Sequence, residues 1–158
     1  MKQTSTFFLK SAIILIGLTV TGLSIFGLPG LAAFSAVENP EFAYLKLPVL
    51  LGLYATEIPF FLALYQAYRL IQSIESGKAF TLEAANTLRM IKICAWVITG
   101  IYSAGALFLL LQGALHPGIA AAGLVIILAS MTISIFSALL HEMLSHALEM
   151  NSDNELTI

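Results

Sequence analysis

The chain alternates between long apolar runs and short polar breaks, and this spacing predicts four membrane-spanning helices at 8–33, 47–70, 93–112 and 119–141. Each run can cross a hydrocarbon layer about 30 Å thick, which takes ~20 helical residues. No two-residue alternation of apolar and polar positions runs through them, so a membrane β-barrel is excluded. The first run, Phe7 to Phe34, exceeds the apolar core of a secretory signal and is read as a retained span, although Ala33-Phe34-Ser35 forms a weak cleavage pattern. Within it Pro29 and Gly30 are expected to end or kink the helix, and Gly17 with Thr21 offers a small face for helix packing. Ser35 to Lys46 reads as an exposed loop, followed by Pro48 in the first turn of the second helix, which can run to Glu75 before Ser76 and Gly77 stop it.

The third and fourth spans are joined by a turn at His116, Pro117 and Gly118 and form a hairpin. Gly100 and Ala104 on one, and Ser130, Ser134 and Ala138 on the other, repeat at four-residue intervals, so these faces are expected to touch. The helix of the fourth span is expected to reach about Met150, where Asn151, Ser152 and Asp153 break it, leaving a polar tail within 142–158.

The longest break, Arg69 to Lys92, has an internal logic of its own. Thr81 suits an N-cap, and Glu83 in the following turn complements the positive end of a helix dipole. Ala84, Ala85, Leu88 and Ile91 share one helical face, while Glu83, Asn86 and Thr87 fall on another. The pattern predicts a short amphipathic helix lying on the membrane or the bundle, between spans two and three. The resulting fold class is all-α, a single membrane domain over 1–158 built as a four-helix bundle with that added helix in the 71–92 loop.

Composition agrees, with 59% hydrophobic residues, 10% charged residues and a mean hydropathy of +0.93. Soluble domains carry about a quarter charged residues, so this is an integral membrane protein. A net charge of -2 gives no footprint for direct nucleic-acid binding, and the one cysteine, Cys94, excludes an intramolecular disulfide and is read as a small packed side chain. Lys2 and Lys10 precede or begin the first span, and Arg69, Lys78, Arg89 and Lys92 occupy the central break, while the first loop holds Lys46 and the second loop no Lys or Arg. The positive-inside rule then places both termini and the central break in the cytoplasm, with the spans in a bacterial inner membrane.

Glu57 is the sharpest candidate for chemistry because it sits near the middle of the second span. Insertion scales put a comparable central charge at about 2.5–3.5 kcal/mol, so the carboxyl should be protonated, paired or turned to a polar cavity. Pro59 adds a kink and leaves the Ala55 carbonyl without its usual donor one turn away. A neutral Glu57 could donate to such a carbonyl or to a Ser or Thr of another span, whereas a functional reading makes it a proton or cation site. No acidic residue at matching depth in another span completes a carboxylate relay. The stretch His141-Glu142-Met143-Leu144-Ser145-His146 resembles a zinc-protease motif only on paper, since its histidines are five apart and diverge on a helix. It is read as a solvated face, and His116 as an exposed loop histidine. No catalytic group, metal site or cofactor is expected.

The segment Ser76 to Ile91, with Gly77, Phe80, Thr81, Asn86 and Leu88-Arg89, resembles the YoaS-like family of four-span bacterial membrane proteins, the domain-of-unknown-function 2975 (DUF2975) family. The terminal Asn154, Glu155, Leu156, Thr157 and Ile158 carry the same resemblance. The family pattern often places a glycine after the Leu-Arg pair, where Lys92 and Ile93 continue the helix here. Family members often accompany a small helix-turn-helix regulator, so the resemblance implies a non-enzymatic regulatory or sensory membrane protein. Gly77, Phe80, Thr81, Asn86, Arg89 and residues 154–157 then become the candidates for docking that partner. The alternative expectation is a small transporter or toxin-immunity protein that uses Glu57, acting alone or as a homo-oligomer.

Overall fold

A computed structural model describes residues 2–157; Ile158 and the side chain of Lys2, and with it that residue's share in the charge count, lie outside the description. The described chain is helical nearly throughout: α1 (Lys2–Gly22), a π-helical turn (Leu23–Gly27), α2 (Leu28–Glu38), a 3-10 segment (Pro40–Leu45), α3 (Lys46–Glu75), α4 (Leu82–Leu111) and α5 (Pro117–Leu156). Four stretches are long and apolar enough to cross a membrane, namely Gln3–Glu38, Pro40–Glu75, Leu82–Leu111 and Pro117–Leu156. The all-helical architecture with four helices of spanning length is therefore present, while several boundaries and faces differ from expectation.

The separate amphipathic helix does not exist. Thr81 does cap a helix, its hydroxyl accepting from Ala84 N–H at 3.3 Å, but that helix is α4 itself and continues unbroken to Leu111. Nothing between Glu83 and Ile93 breaks a helix, because Arg89, Met90 and Lys92 all favour one. The apolar face predicted for this stretch holds, with Ala84, Ala85, Leu88 and Ile91 buried, and it packs on protein: Leu144 of α5 completes a core with Ala84, Ala85 and Leu88, flanked by Leu70 and Leu148. Thr87, assigned to the polar face, is buried. Its hydroxyl donates to the Glu83 carbonyl at 2.9 Å, which removes the cost of burying it.

Other boundaries moved for similarly local reasons. Pro29 does not end the first span. It lacks the N–H that the Ile25 carbonyl would accept, and the helix adjusts through the π-turn just before it, with Leu28 N–H reaching the Leu23 carbonyl five residues back. The loop expected from Ser35 is helical to Glu38, and after Asn39 it continues as the 3-10 segment. In the tail, Asn151, Ser152 and Asp153 remain helical as α5 runs on to Leu156, since each disfavours a helix by well under 1 kcal/mol and Leu148 anchors the preceding turn.

Two turns share one construction. After α3, Gly77 takes a left-handed φ of 75°, with Gly77 N–H bonded to Ile74 and Lys78 N–H to Ser73. After α4, Gly113 takes φ 69°, with Gly113 N–H bonded to Leu110 and Ala114 N–H to Leu109. Both are Schellman endings, which use glycine because a side chain is strained at that φ. His116 follows the second as the N-cap of α5, its Nδ1 accepting from Gly118 N–H at 3.1 Å.

Packing follows chain order. The principal helix contacts are α4 with α5, then α3 with α4, with α1 and α2 lying against α3. Both helices of the α4–α5 pair bury mainly small and hydroxyl side chains: Cys94, Ala95, Ile98 and Thr99 on α4, and Ser130, Ser134 and Ser137 on α5. Ser134, fully buried, donates to the Lys92 carbonyl at 3.2 Å. The expected serine face is thus used, but its partner is not the Gly100–Ala104 face. Both of those residues are exposed, and a Cβ on Gly100 would meet nothing within 4 Å. Burial on α4 follows the apolar stripe begun at Ala84, and Gly100 lies off that stripe.

Candidate functional site

Two regions collect the predicted residues. In the first, Glu57 of α3 faces Ser24, the buried second residue of the π-turn. The Ser24 hydroxyl lies within hydrogen-bonding distance of Glu57 Oε1 and is also 2.7 Å from the Val20 carbonyl. Tyr54, one helical turn before Glu57, donates its hydroxyl to the Ser24 carbonyl at 2.9 Å. Thr56 is buried beside them and satisfies itself on the Leu53 carbonyl at 2.6 Å. A Ser or Thr of another span was one of the partners the sequence allowed for Glu57, and Ser24 is the hydroxyl that stands beside it. Its identity was hidden because the π-turn shifts the register of the first helix, and only the nearby Pro29 hinted at that turn. Pro59 lies inside α3, which continues through it.

The second region is the basic end, where α3 and α4 meet. Arg69 of α3 forms an ion pair with Glu83 of α4, and Lys10 of α1 forms one with Glu75 of α3. Lys10 also stands 5.6 Å from the centre of the Tyr68 ring, so the first span is pinned to the second at this end. Beside the Arg69–Glu83 pair runs a cleft of about 370 Å³ lined by Gln66, Arg69, Leu82, Glu83, Asn86, Thr87 and Met90. Leu82 of that lining and Phe80, two residues before it in the chain, keep 70% and 76% of their surface free. Gly77 makes the turn, Thr81 the cap, and Asn86 and Arg89 are exposed.

The tail is not brought to this cleft by any hydrogen bond or ion pair among the described residues. Asn154, Glu155, Leu156 and Thr157 are exposed, and the Thr157 hydroxyl donates to the Asp153 carbonyl at 2.6 Å. Since Leu144 packs against Ala84 and Leu88, Asn154 lies ten residues further along α5, about 15 Å at 1.5 Å per residue. The two docking segments share one end of the molecule and stand apart on it.

The histidines of α5 part company as their spacing required. His146 is exposed, but His141 is not simply solvated: its Nδ1 lies 2.8 Å from the Ala85 carbonyl, which makes that nitrogen the protonated donor. It clamps α5 to α4. No group of three or more His, Cys, Asp or Glu residues able to hold a metal occurs among the described residues.

Four helices of spanning length, with Thr81 and His116 capping the last two and polar side chains bonded between helices, define a polytopic type of helical membrane protein. The chain belongs to the family described as "Protein of unknown function (DUF2975)", which matches residues 30–158. It is 43% identical over 160 residues to the "Uncharacterized membrane protein YoaS" of Bacillus subtilis (strain 168), covering 100% of both chains. No solved structure matches.

Proposed function

We propose that this is a non-enzymatic regulatory membrane protein of the bacterial inner membrane that docks a cytoplasmic partner at its basic end. In this reading both termini and the 71–92 segment face the cytoplasm, following the concentration of Lys10, Arg69, Lys78, Arg89 and Lys92 at that end. The observation that carries the reading is the exposure of Phe80 and Leu82, the latter lining the cleft beside the Arg69–Glu83 pair. Aromatic and arginine side chains on a fixed backbone are the commoner anchors of a protein interface, and Phe80 stands exposed at the same end of the molecule as the exposed Arg89. The backbone here is fixed by the Gly77 turn, the Thr81 cap and the Arg69–Glu83 pair. A helix-turn-helix regulator is the partner class, as the family resemblance implies.

The test is co-expression with a helix-turn-helix regulator encoded beside this gene, followed by copurification of the pair in detergent. The intact chain should retain the regulator, and Phe80→Asp should lose it with helix content unchanged. Arg89→Glu and a chain ending after Met150 should each weaken capture. Failure of the intact chain to retain the regulator, or capture indifferent to Phe80→Asp, overturns the reading.

A second reading, a small transporter or toxin-immunity protein, is favoured by one observation, the Glu57–Ser24 contact between spans. Proton or cation uptake by vesicles containing the protein, abolished by Glu57→Gln, would support it over docking.

A further inference from the structure

We infer that the cleft between α3 and α4 is a phospholipid site selective for the ethanolamine headgroup, with the phosphate on Arg69 and the ammonium on Glu83. Unspent hydrogen-bonding groups point to it first. A guanidinium carries five N–H donors, and among the described residues Arg69 commits one nitrogen, Nη2, to Glu83 Oε1. Glu83 Oε2 has no partner there, and neither have the side-chain amides of Gln66 and Asn86, which line the same cleft of about 370 Å³. Thr87, the other polar side chain of the lining, is already satisfied on the Glu83 carbonyl. A ligand entering the cleft therefore meets free donors beside Arg69 and a free carboxylate oxygen on Glu83.

Charge narrows the choice of ligand. Arg69 and Glu83 cancel, so the lining is neutral in sum and offers both signs. An anionic headgroup would satisfy Arg69 and bring like charge against Glu83. A choline headgroup is neutral in sum, but its methylated nitrogen has no N–H to give a carboxylate. Phosphoethanolamine has oxygens for the guanidinium fork and an ammonium that donates to Glu83. The Lys10–Glu75 pair at the same end lacks this capacity, since both Glu75 oxygens are taken, by Thr6 and by Lys10.

Depth and shape agree. Residues 93–111 of α4 make about 28 Å of helix at 1.5 Å per residue, which matches a hydrocarbon core ~30 Å thick. Residues 82–90, which hold the α4 wall of the cleft, then fall at the level of the headgroups. Beyond them the same faces turn apolar. Met90, Ile93 and Val97 follow Asn86 at helical spacing, and Leu62 precedes Gln66 by one turn of α3. Leu62, Ile93 and Val97 are exposed and give an acyl chain a course leading out of the polar cleft. Phe80, on which partner docking turns, is not part of the lining, so the lipid site stands independently of that reading.

Trp96, the single tryptophan of the chain, lies exposed on α4 and serves as the reporter. The full chain is reconstituted in phosphatidylcholine vesicles, and lipids with brominated acyl chains bearing ethanolamine, choline or glycerol headgroups are added at low mole fraction to quench its fluorescence. The ethanolamine lipid should reach equal quenching at about three- to tenfold lower mole fraction than the other two, the worth of one ionic hydrogen bond at a partly exposed site. With helix signal unchanged, Glu83→Gln should remove the preference, and Asn86→Leu, at a side chain the fold leaves unbonded, should weaken it. Lys10→Gln, which breaks the other ion pair at this end, should leave it intact. Equal quenching by the three headgroups, or stronger quenching by the glycerol lipid, overturns the selectivity. An ethanolamine preference that survives both Glu83→Gln and Asn86→Leu, or that falls with Lys10→Gln, overturns its placement in this cleft.

Discussion

The α4–α5 pair and the α1–α3 pair solve the same problem in opposite ways. Lipid tails are as apolar as leucine, so two spans gain nothing from burying apolar surface against each other and must associate through close packing and hydrogen bonds. The α4–α5 pair relies on packing: it is the most extensive helix contact, Ala84, Ala85 and Leu88 share a core with Leu144, and Cys94 and Ala95 on α4 and Ser130, Ser134 and Ser137 on α5 are buried. Hydrogen bonds from Ser134 and His141 to α4 carbonyls then fix the register. The first span relies on pins. It meets α3 at the Lys10–Glu75 pair, at Gly17 against Leu64 and Phe61, and at Ser24 with Glu57 and Tyr54. Most of its surface is otherwise free, including Phe7, Leu15, Leu18, Phe26 and Phe34. The protein thus has a tight half and a loosely attached span, and conformational freedom belongs to the latter.

Substitutions can break this contrast in order of size. Ser134→Leu inserts bulk where no side-chain surface is free, and should destabilise the α4–α5 half by about 1–3 kcal/mol, the usual range for overpacking. Unfolding in mixed micelles, followed by helix signal, measures it. Gly17→Val comes next. A Cβ there would lie 3.3 Å from Leu64 Cδ2, the mobile end of a side chain, so Gly17→Ala should be tolerated, while the extra methyls of valine displace the first span. That displacement should lower disulfide crosslinking between cysteines placed at Val20 and Tyr54 in a Cys94→Ser background, with global unfolding changed by less than for Ser134→Leu. Smallest is Lys10→Gln, which removes a solvent-screened pair. It should leave unfolding unchanged in high salt and raise the protease sensitivity of the first residues only at low salt. If Lys10→Gln matched Ser134→Leu, the division into a packed half and a pinned span would be wrong.

Much of this fold was legible because local chemistry decides it. Gly77 as a stop, Thr81 as a cap, Glu83 in the first turn and the Ala84–Ile91 face all follow from backbone needs that neighbouring residues satisfy. The continuity of α4 was missed because an N-cap and an amphipathic face say where a helix begins and not where it ends. Relations between spans were legible only in kind. A hydroxyl of another span was among the partners open to Glu57, but Ser24 could not be chosen without knowing how the first helix is rotated, and the π-turn before Pro29 enters that rotation. Thr87 and His141 misled for a related reason. A hydroxyl or a ring nitrogen that finds a carbonyl, here Glu83 or Ala85, can be buried at little cost, whatever its polarity suggests.

The unbroken run of α4 has a mechanical corollary. At 30 residues it is about 45 Å long, beyond the ~30 Å of a bilayer core, so one unbroken helix carries Leu82 to Arg89 together with the apolar run that follows. A hinge after Arg89 would have let the first turns drift independently of the rest. A rod transmits torque instead: any tilt or rotation imposed on Trp96 or Tyr102 turns Asn86 and Arg89 by the same angle, and whatever grips the outer turns of α4 also grips the spans.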